Sequence, residues 1–293
     1  MSTEAAEPRT SRPRRRLVGA LVVIAVLAAV AVGLYLGSRP LTSAQPAPSP
    51  AGSAAEQEPA EEDAAGDATS PTLAGLHVVL DPGHNGGNAA AASEVSAPVD
   101  DGRGARKACN TVGTSTASGY PEHAFTWDVA GRARGLLEAA GARVTLTRQD
   151  DTGVGPCVDE RGSAAQAHDA DLLVSIHADG SDDPTVRGYF AIVSSPPLND
   201  AQGEPSRALA AALLDALGAA GFTPSPTYPG ALSERADLGT LNWAERPAVM
   251  LELAQMRNPA DAVLIESEDG RQRYAEAIAA GVTAWSEDGA AAP

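Results

Sequence analysis

An α/β domain built on a largely parallel sheet is the fold class this sequence predicts, and three features predict it. Short apolar runs bounded by turn residues recur through residues 73–293. Longer alanine-rich stretches with helical start and stop signals separate them. The segment is also about the size of one domain, with no internal repeat to divide it. Strands alternating with helices can be covered on both faces, the condition under which parallel sheets occur.

The preceding residues are of another kind. Residues 1–16 hold Arg9, Arg12, Arg14, Arg15 and Arg16 against two glutamates, and LVGALVVIAVLAAVAVGLYLG, residues 17–37, carries no charge. A bilayer-spanning helix needs about 20 apolar residues, whereas the core of a cleavable secretory signal is only about 7 to 15. We therefore expect a transmembrane signal anchor, with a cleaved signal and secretion as the alternative. In both cases the basic tail stays in the cytoplasm and the rest is exported. Residues 38–72 are rich in Pro, Ala, Ser and acid, too poor in apolar side chains to offset the entropy of ordering, and read as a disordered linker.

Charge follows the same division: of the net −17, the tail carries about +3, the linker about −5 and the domain about −15. A surface that acidic argues against nucleic acid as a partner, because phosphates are bound by lysine and arginine.

Within the domain, LHVVLD (76–81), RVTLTR (143–148), DLLVSIHA (171–178), GYFAIV (188–193) and AVMLELA (248–254) are the strand candidates. Continuous aliphatic runs of this length suit strands buried on both faces. Residues 121–141 open with proline and acid and stop at a glycine, as a helix does. Residues 158–169, 205–221 and 270–285 read as helices too. Residues 88–119 fit neither class and are expected to form a surface excursion of the length that often serves function. They hold Cys109; the other cysteine is Cys157. Paired in an exported domain, the two would close a loop worth about 4 kcal/mol on the chain-entropy model. Two free thiols, or two metal ligands, are the alternatives.

In such sheets the functional crevice lies beyond the carboxyl ends of the parallel strands. His84 follows the first run, in VVLDPGHNGGN, and His177 ends the third. Neutral imidazole is the commonest metal ligand, and the proline and glycines around His84 suggest a tight turn that aims it. Either histidine alone also reads as a hydrogen-bonded surface or core residue. Glu122 or His123, opening the first helix, is the candidate third ligand. Neighbours on a helix point about 100° apart, so one can face the crevice and the other not. Glu122 could equally serve only to complement the helix dipole. Glu252 interrupts AVMLELA, where alternation puts it on the Met250 face, opposite Val249 and Leu251. A buried unpaired carboxylate costs several kcal/mol, so Glu252 needs a task or a partner, such as an arginine. His77 and His168 read as structural.

The order and setting of these motifs resemble the zinc-dependent N-acetylmuramoyl-L-alanine amidases of the Amidase_3 type, especially the mycobacterial and actinobacterial members. The resemblance runs through VVLDPGHNGG, EHAFTWDVAGRARGLLEAAGARVTLTR, ERGSAAQAH, DLLVSIHAD and PAVMLELAQMRNPADA and covers nearly all of residues 75–285. It implies a mixed sheet of about six strands flanked by helices. It also implies Zn2+ held by His84, Glu122 and His177, with Glu122 chosen over His123, a catalytic Glu252 and a Cys109–Cys157 bridge. The implied reaction is cleavage of the amide between N-acetylmuramic acid and L-alanine, by a monomer whose partners are peptidoglycan or muropeptides. The long insert after His84 departs from the commoner pattern. A zinc peptidase acting on the stem peptide, or an anchored wall-binding regulator without catalysis, are the other readings of the same residues.

Overall fold

The computed structural model describes residues 72–289, so the expected tail (1–16), anchor (17–37) and all but the last residue of the linker (38–72) lie outside the described residues. Among the described residues no helix is long and apolar enough to cross a membrane.

Among the described residues eight strands form in chain order: β1 (His77–Pro82), β2 (Pro98–Asp100), β3 (Arg106–Ala108), β4 (Arg143–Leu146), β5 (Leu172–Asp179), β6 (Phe190–Ser194), β7 (Leu232–Arg235) and β8 (Ala248–Gln255). Six of them make one sheet of order β4-β1-β5-β8-β6-β7, and β2 with β3 makes a separate antiparallel hairpin. β4, β1, β5 and β8 are mutually parallel, and polarity reverses only between β8 and β6. The aliphatic runs account for the centre: Val78, Val79, Leu80, Leu172, Leu173, Val174, Val249 and Leu251 are all fully buried.

Five longer helices flank the sheet: α1 (Glu122–Ala139), α2 (Val158–Ala167), α3 (Glu204–Ala219), α4 (Pro259–Glu266) and α5 (Glu268–Glu287). α1 connects β1 outward to β4, whereas α2 connects β4 back across β1 to β5. Crossovers of one handedness running in opposite directions place their helices on opposite faces. α5 packs on both α1 and α3 and completes the thicker layer. Its centre is aromatic: the Tyr274 ring stacks on Phe222 at 4.0 Å and meets Phe125 edge-on at 5.8 Å.

The sequence reading located the four helices and five strands it singled out but missed the β2–β3 hairpin, β7, α4 and a single helical turn at Gly239–Asn242. Residues 88–119 are also more than a surface excursion. Asn88 is fully buried, donating through Nδ2 to the Thr111 carbonyl (2.8 Å) and accepting the Gly155 N–H at Oδ1 (3.1 Å). Cys109 and Cys157 are disulfide-bonded, tying this region to the start of α2.

Candidate metal centre

Because β1, β5 and β8 run parallel, their carboxyl ends share one edge of the sheet. α1 comes next after β1 and its insert, so its first turn lies at that edge as well.

His84 sits two residues past β1 with φ 59°, a left-handed conformation that is uncommon outside glycine. The sequence reading gave the turn to the glycines; the structure puts the left-handed backbone on the histidine itself. Gly83 instead supplies space, since a Cβ there would stand 2.3 Å from the His177 ring. The strained residue is held from both sides: Arg161 Nη2 donates to its carbonyl (2.7 Å), and its ring Nδ1 faces the Thr111 carbonyl (3.0 Å). With Nδ1 engaged there, Nε2 points to Glu122 Oε1 at 3.1 Å.

Glu122, the first residue of α1, is buried. Its Oε1 lies 3.1 Å from His177 Nδ1 as well and accepts the Ala178 N–H (3.2 Å), while Oε2 accepts the Thr114 N–H (3.0 Å). One donor atom from each of His84, Glu122 and His177 falls within 4.8 Å of the others. His123 turns away, its Nδ1 2.9 Å from both carboxylate oxygens of Asp151, as the 100° helical offset requires.

Glu252 is the register partner of His177 across the parallel β5–β8 ladder, which sends both side chains to the same face. Its Oε2 is buried with no hydrogen-bond partner. The arginine partner anticipated as an alternative does not materialise among the described residues: Arg235, the nearby cation, is committed to Asp237 at 2.8 and 2.7 Å. Burial pushes the Glu252 carboxyl well above its usual pKa, and the negative charges of Glu122 and Asp179 push it the same way. Burial would raise Glu122 too, but the His84 charge and hydrogen bonds from both histidines hold it below the ordinary carboxylate range. Correspondingly, burial disfavours the cation of His84 while Glu122 outweighs it and raises the imidazole.

Two imidazoles and one carboxylate make a donor set that suits zinc, and three protein donors are the number found where a zinc ion is to act in catalysis rather than in structure. Thr111, Thr114 and Ala178 orient the donors through backbone groups, as the outer contacts of metal sites do. A cavity of about 400 Å³ opens over the cluster, walled by Lys107, Ala108, residues 110–114, Val158, Leu238 and Met250.

The sequence reading missed what stands beneath. Asp81, fully buried on β1, accepts from Arg161 Nη1, Thr147 Oγ1 and Ser175 Oγ, each at 2.6 Å. Arg161 also donates to the carbonyls of Pro82 (2.8 Å) and Pro156 (2.9 Å) besides that of His84. Half of the signal was present: an aspartate closing an apolar run needs donors or a cation, but nothing local points to Arg161, on the next helix but one.

A family model described as N-acetylmuramoyl-L-alanine amidase, Amidase_3, matches residues 78–284. Over 220 residues the chain is 46% identical to the N-acetylmuramoyl-L-alanine amidase Rv3717 of Mycobacterium tuberculosis, an alignment covering 74% of this chain and 89% of that protein. The crystal structure of the N-acetylmuramyl-L-alanine amidase Ami1 from Mycobacterium smegmatis superposes with a TM-score of 0.71 at 45% identity, covering 74% of this chain and 99% of that one. Ami1 from Mycobacterium abscessus does so with a TM-score of 0.70 at 43% identity, covering 73% and 99%.

Proposed function

The chain belongs to the Amidase_3 family of N-acetylmuramoyl-L-alanine amidases, and from that premise we propose how its residues cleave the amide between N-acetylmuramic acid and L-alanine. His84, Glu122 and His177 would hold a zinc ion, and Glu252 would carry the proton. The observation behind this reading is the convergence of three metal-type donors within 4.8 Å beside a carboxylate whose Oε2 has no partner.

A zinc ion held there supplies a Lewis acid for the scissile carbonyl and acidifies water. Ligands bind metal deprotonated, so His84 and His177 would take it up as neutral imidazoles and Glu122 as a carboxylate. Glu252 takes a proton from the attacking water as its oxygen bonds to the carbonyl carbon. It returns that proton to the alanine nitrogen as the C–N bond breaks. A raised proton affinity suits a group that must accept a proton near neutral pH. The products are a free muramic lactyl carboxylate and an intact stem peptide with a free amine.

The substrate lies outside the cytoplasmic membrane, and we place residues 73–293 there on a linker at 38–72. The hydrophobic segment at 17–37 serves as membrane anchor, or as a signal whose removal releases the domain. The test is digestion of purified peptidoglycan by the full-length chain, with and without zinc, read by mass spectrometry. Intact stem peptides released from intact glycan, only with zinc, are expected. Shortened stems would replace this reading with a stem-peptide peptidase, and binding without products with a non-catalytic wall protein.

A further inference from the structure

The chain has 21 basic residues, and Lys107 is its only lysine; every other one is arginine. That single lysine does not lie on the general surface. It is on β3, in the wall of the cavity over the metal centre. The two cations differ physically: arginine presents a planar fork suited to fixed bidentate pairs, lysine a compact point charge on a flexible stem.

The Lys107 stem lies beside the turn at Gly239–Asn242. A Cβ on Gly239 would stand 3.3 Å from Lys107 Cδ and 2.8 Å from Val158 Cγ2, so a side chain at 239 would crowd the methylene slot. At its end the ammonium donates to the Asp237 carbonyl (2.6 Å), a neutral acceptor. The nearby carboxylates are committed elsewhere: Asp237 to Arg235, and Asp101 Oδ1 to the N–H groups of Arg103 (2.8 Å) and Ala105 (2.9 Å). Arg161, the other cation in the cavity wall, is bound to Asp81 and three carbonyls. Among the described residues, Lys107 is therefore the cation of this wall without a direct ion-pair partner, its ammonium held by a carbonyl.

The rest of the cavity is acidic, with Glu122, Glu252 and Asp179. Away from the metal position, Lys107 is the protein cation of the wall open to pair with an anionic group on a bound substrate, since Arg161 is taken up by Asp81 and carbonyls. Once the muramic lactyl carboxyl is tied up in the scissile amide, the saccharide is neutral, so the anionic groups of the substrate are carboxylates of the peptide. We infer that Lys107 pairs with a free carboxylate of the stem peptide and makes the enzyme discriminate acid stems from amidated ones. The inference rests on the amidase reading above.

The test uses two muropeptides that differ only in whether the α-carboxyl of the γ-linked second residue is free or amidated. The zinc-loaded full-length chain is expected to show about tenfold higher kcat/KM on the acid, the scale of one charge-assisted hydrogen bond at a partly exposed site. Lys107→Gln brings the ratio to about one and Lys107→Arg restores part of it. A purely structural lysine would change both substrates alike, so a wild-type ratio in Lys107→Gln overturns the proposal.

A second measurement needs no variant. Reductive ¹³C-methylation of the native chain labels Lys107 and the α-amine, which are told apart by the lower pKa of the latter. The γ-methylamide of L-alanyl-D-glutamate, whose one free carboxyl is the α-carboxyl, is expected to shift the Lys107 resonance, and the corresponding α-amide γ-methylamide to leave it in place. No shift with either at saturation overturns the proposal. Should neither muropeptide be cut while the acid peptide still shifts Lys107, the amidase reading fails and the carboxylate site stands.

Discussion

Asp81 and Glu252 sit in the same sheet, both with buried carboxyl oxygens, and their surroundings could hardly differ more. Asp81 on β1 receives Arg161 from α2, Ser175 from β5 and Thr147 from the segment after β4, so one carboxylate joins four parts of the fold. Burial alone would raise its pKa, but Arg161 and the two hydroxyls hold it below the usual value. Glu252 on β8 has a buried Oε2 with no such partners, and its pKa moves the other way. Burial thus does not set the charge state of a carboxyl; the donors around it do. The satisfied group braces the loop carrying His84, and the unsatisfied one marks where the fold leaves a group free to exchange a proton.

The sharpest way to break this contrast is to remove each carboxylate's charge in turn. Glu252→Gln is expected to lower turnover by about 10²- to 10⁴-fold, the range of general acid–base catalysis. Zinc stoichiometry measured by atomic emission should stay at wild type, because the three proposed ligands, His84, Glu122 and His177, remain. His177→Ala should lose both. Turnover within tenfold of wild type in Glu252→Gln would falsify its role as the proton carrier.

Asp81→Asn should do the reverse, acting on stability first. It leaves the Arg161 guanidinium buried without its counter-charge, and breaking a buried pair in this way costs about 3–5 kcal/mol. Urea denaturation of the metal-free protein measures it. A loss under about 1 kcal/mol would mean that the carbonyls of Pro82, His84 and Pro156 alone satisfy Arg161.

The same pair shows how far the sequence could be read. Glu252 stood out because a carboxylate breaks the alternation of AVMLELA, and His84 and His177 because they end aliphatic runs whose strand character is local. Asp81 ends such a run as well, yet its meaning depends on Arg161, 80 residues away, and distant pairing leaves no local period. The choice of Glu122 over His123 rested on resemblance alone, since an offset of one helical residue says that they diverge but not which one faces the crevice. β7, whose sequence is LSER, lacked any hydrophobic run because it is an edge strand with three of its four residues polar. The hairpin in residues 88–119 is held by contacts to other segments, such as the Lys107 Nζ bond to the Asp237 carbonyl, and so was invisible as a period.

The finest test of the contrast is its pH dependence in the metal-free protein. Asp81 has a folded pKa below its unfolded value of about 3.9, so the unfolded chain binds the extra proton. Its stabilisation is complete above about pH 4 and disappears as the pH falls through the folded pKa. The stability gap between wild type and Asp81→Asn should therefore be flat at neutral pH and close only in acid. Glu252 has a folded pKa above its unfolded value of about 4.3, so the folded chain binds the extra proton. Its contribution is complete below about pH 4.3 and is lost as the pH rises toward the folded pKa. Glu252→Gln cannot lose it, and should gain on wild type steadily from about pH 4.3 upward. Urea titrations from pH 3 to 8 on the three proteins separate the two behaviours. Parallel curves for wild type and Glu252→Gln across that range would show that Glu252 keeps an ordinary carboxylate pKa despite its unpartnered oxygen.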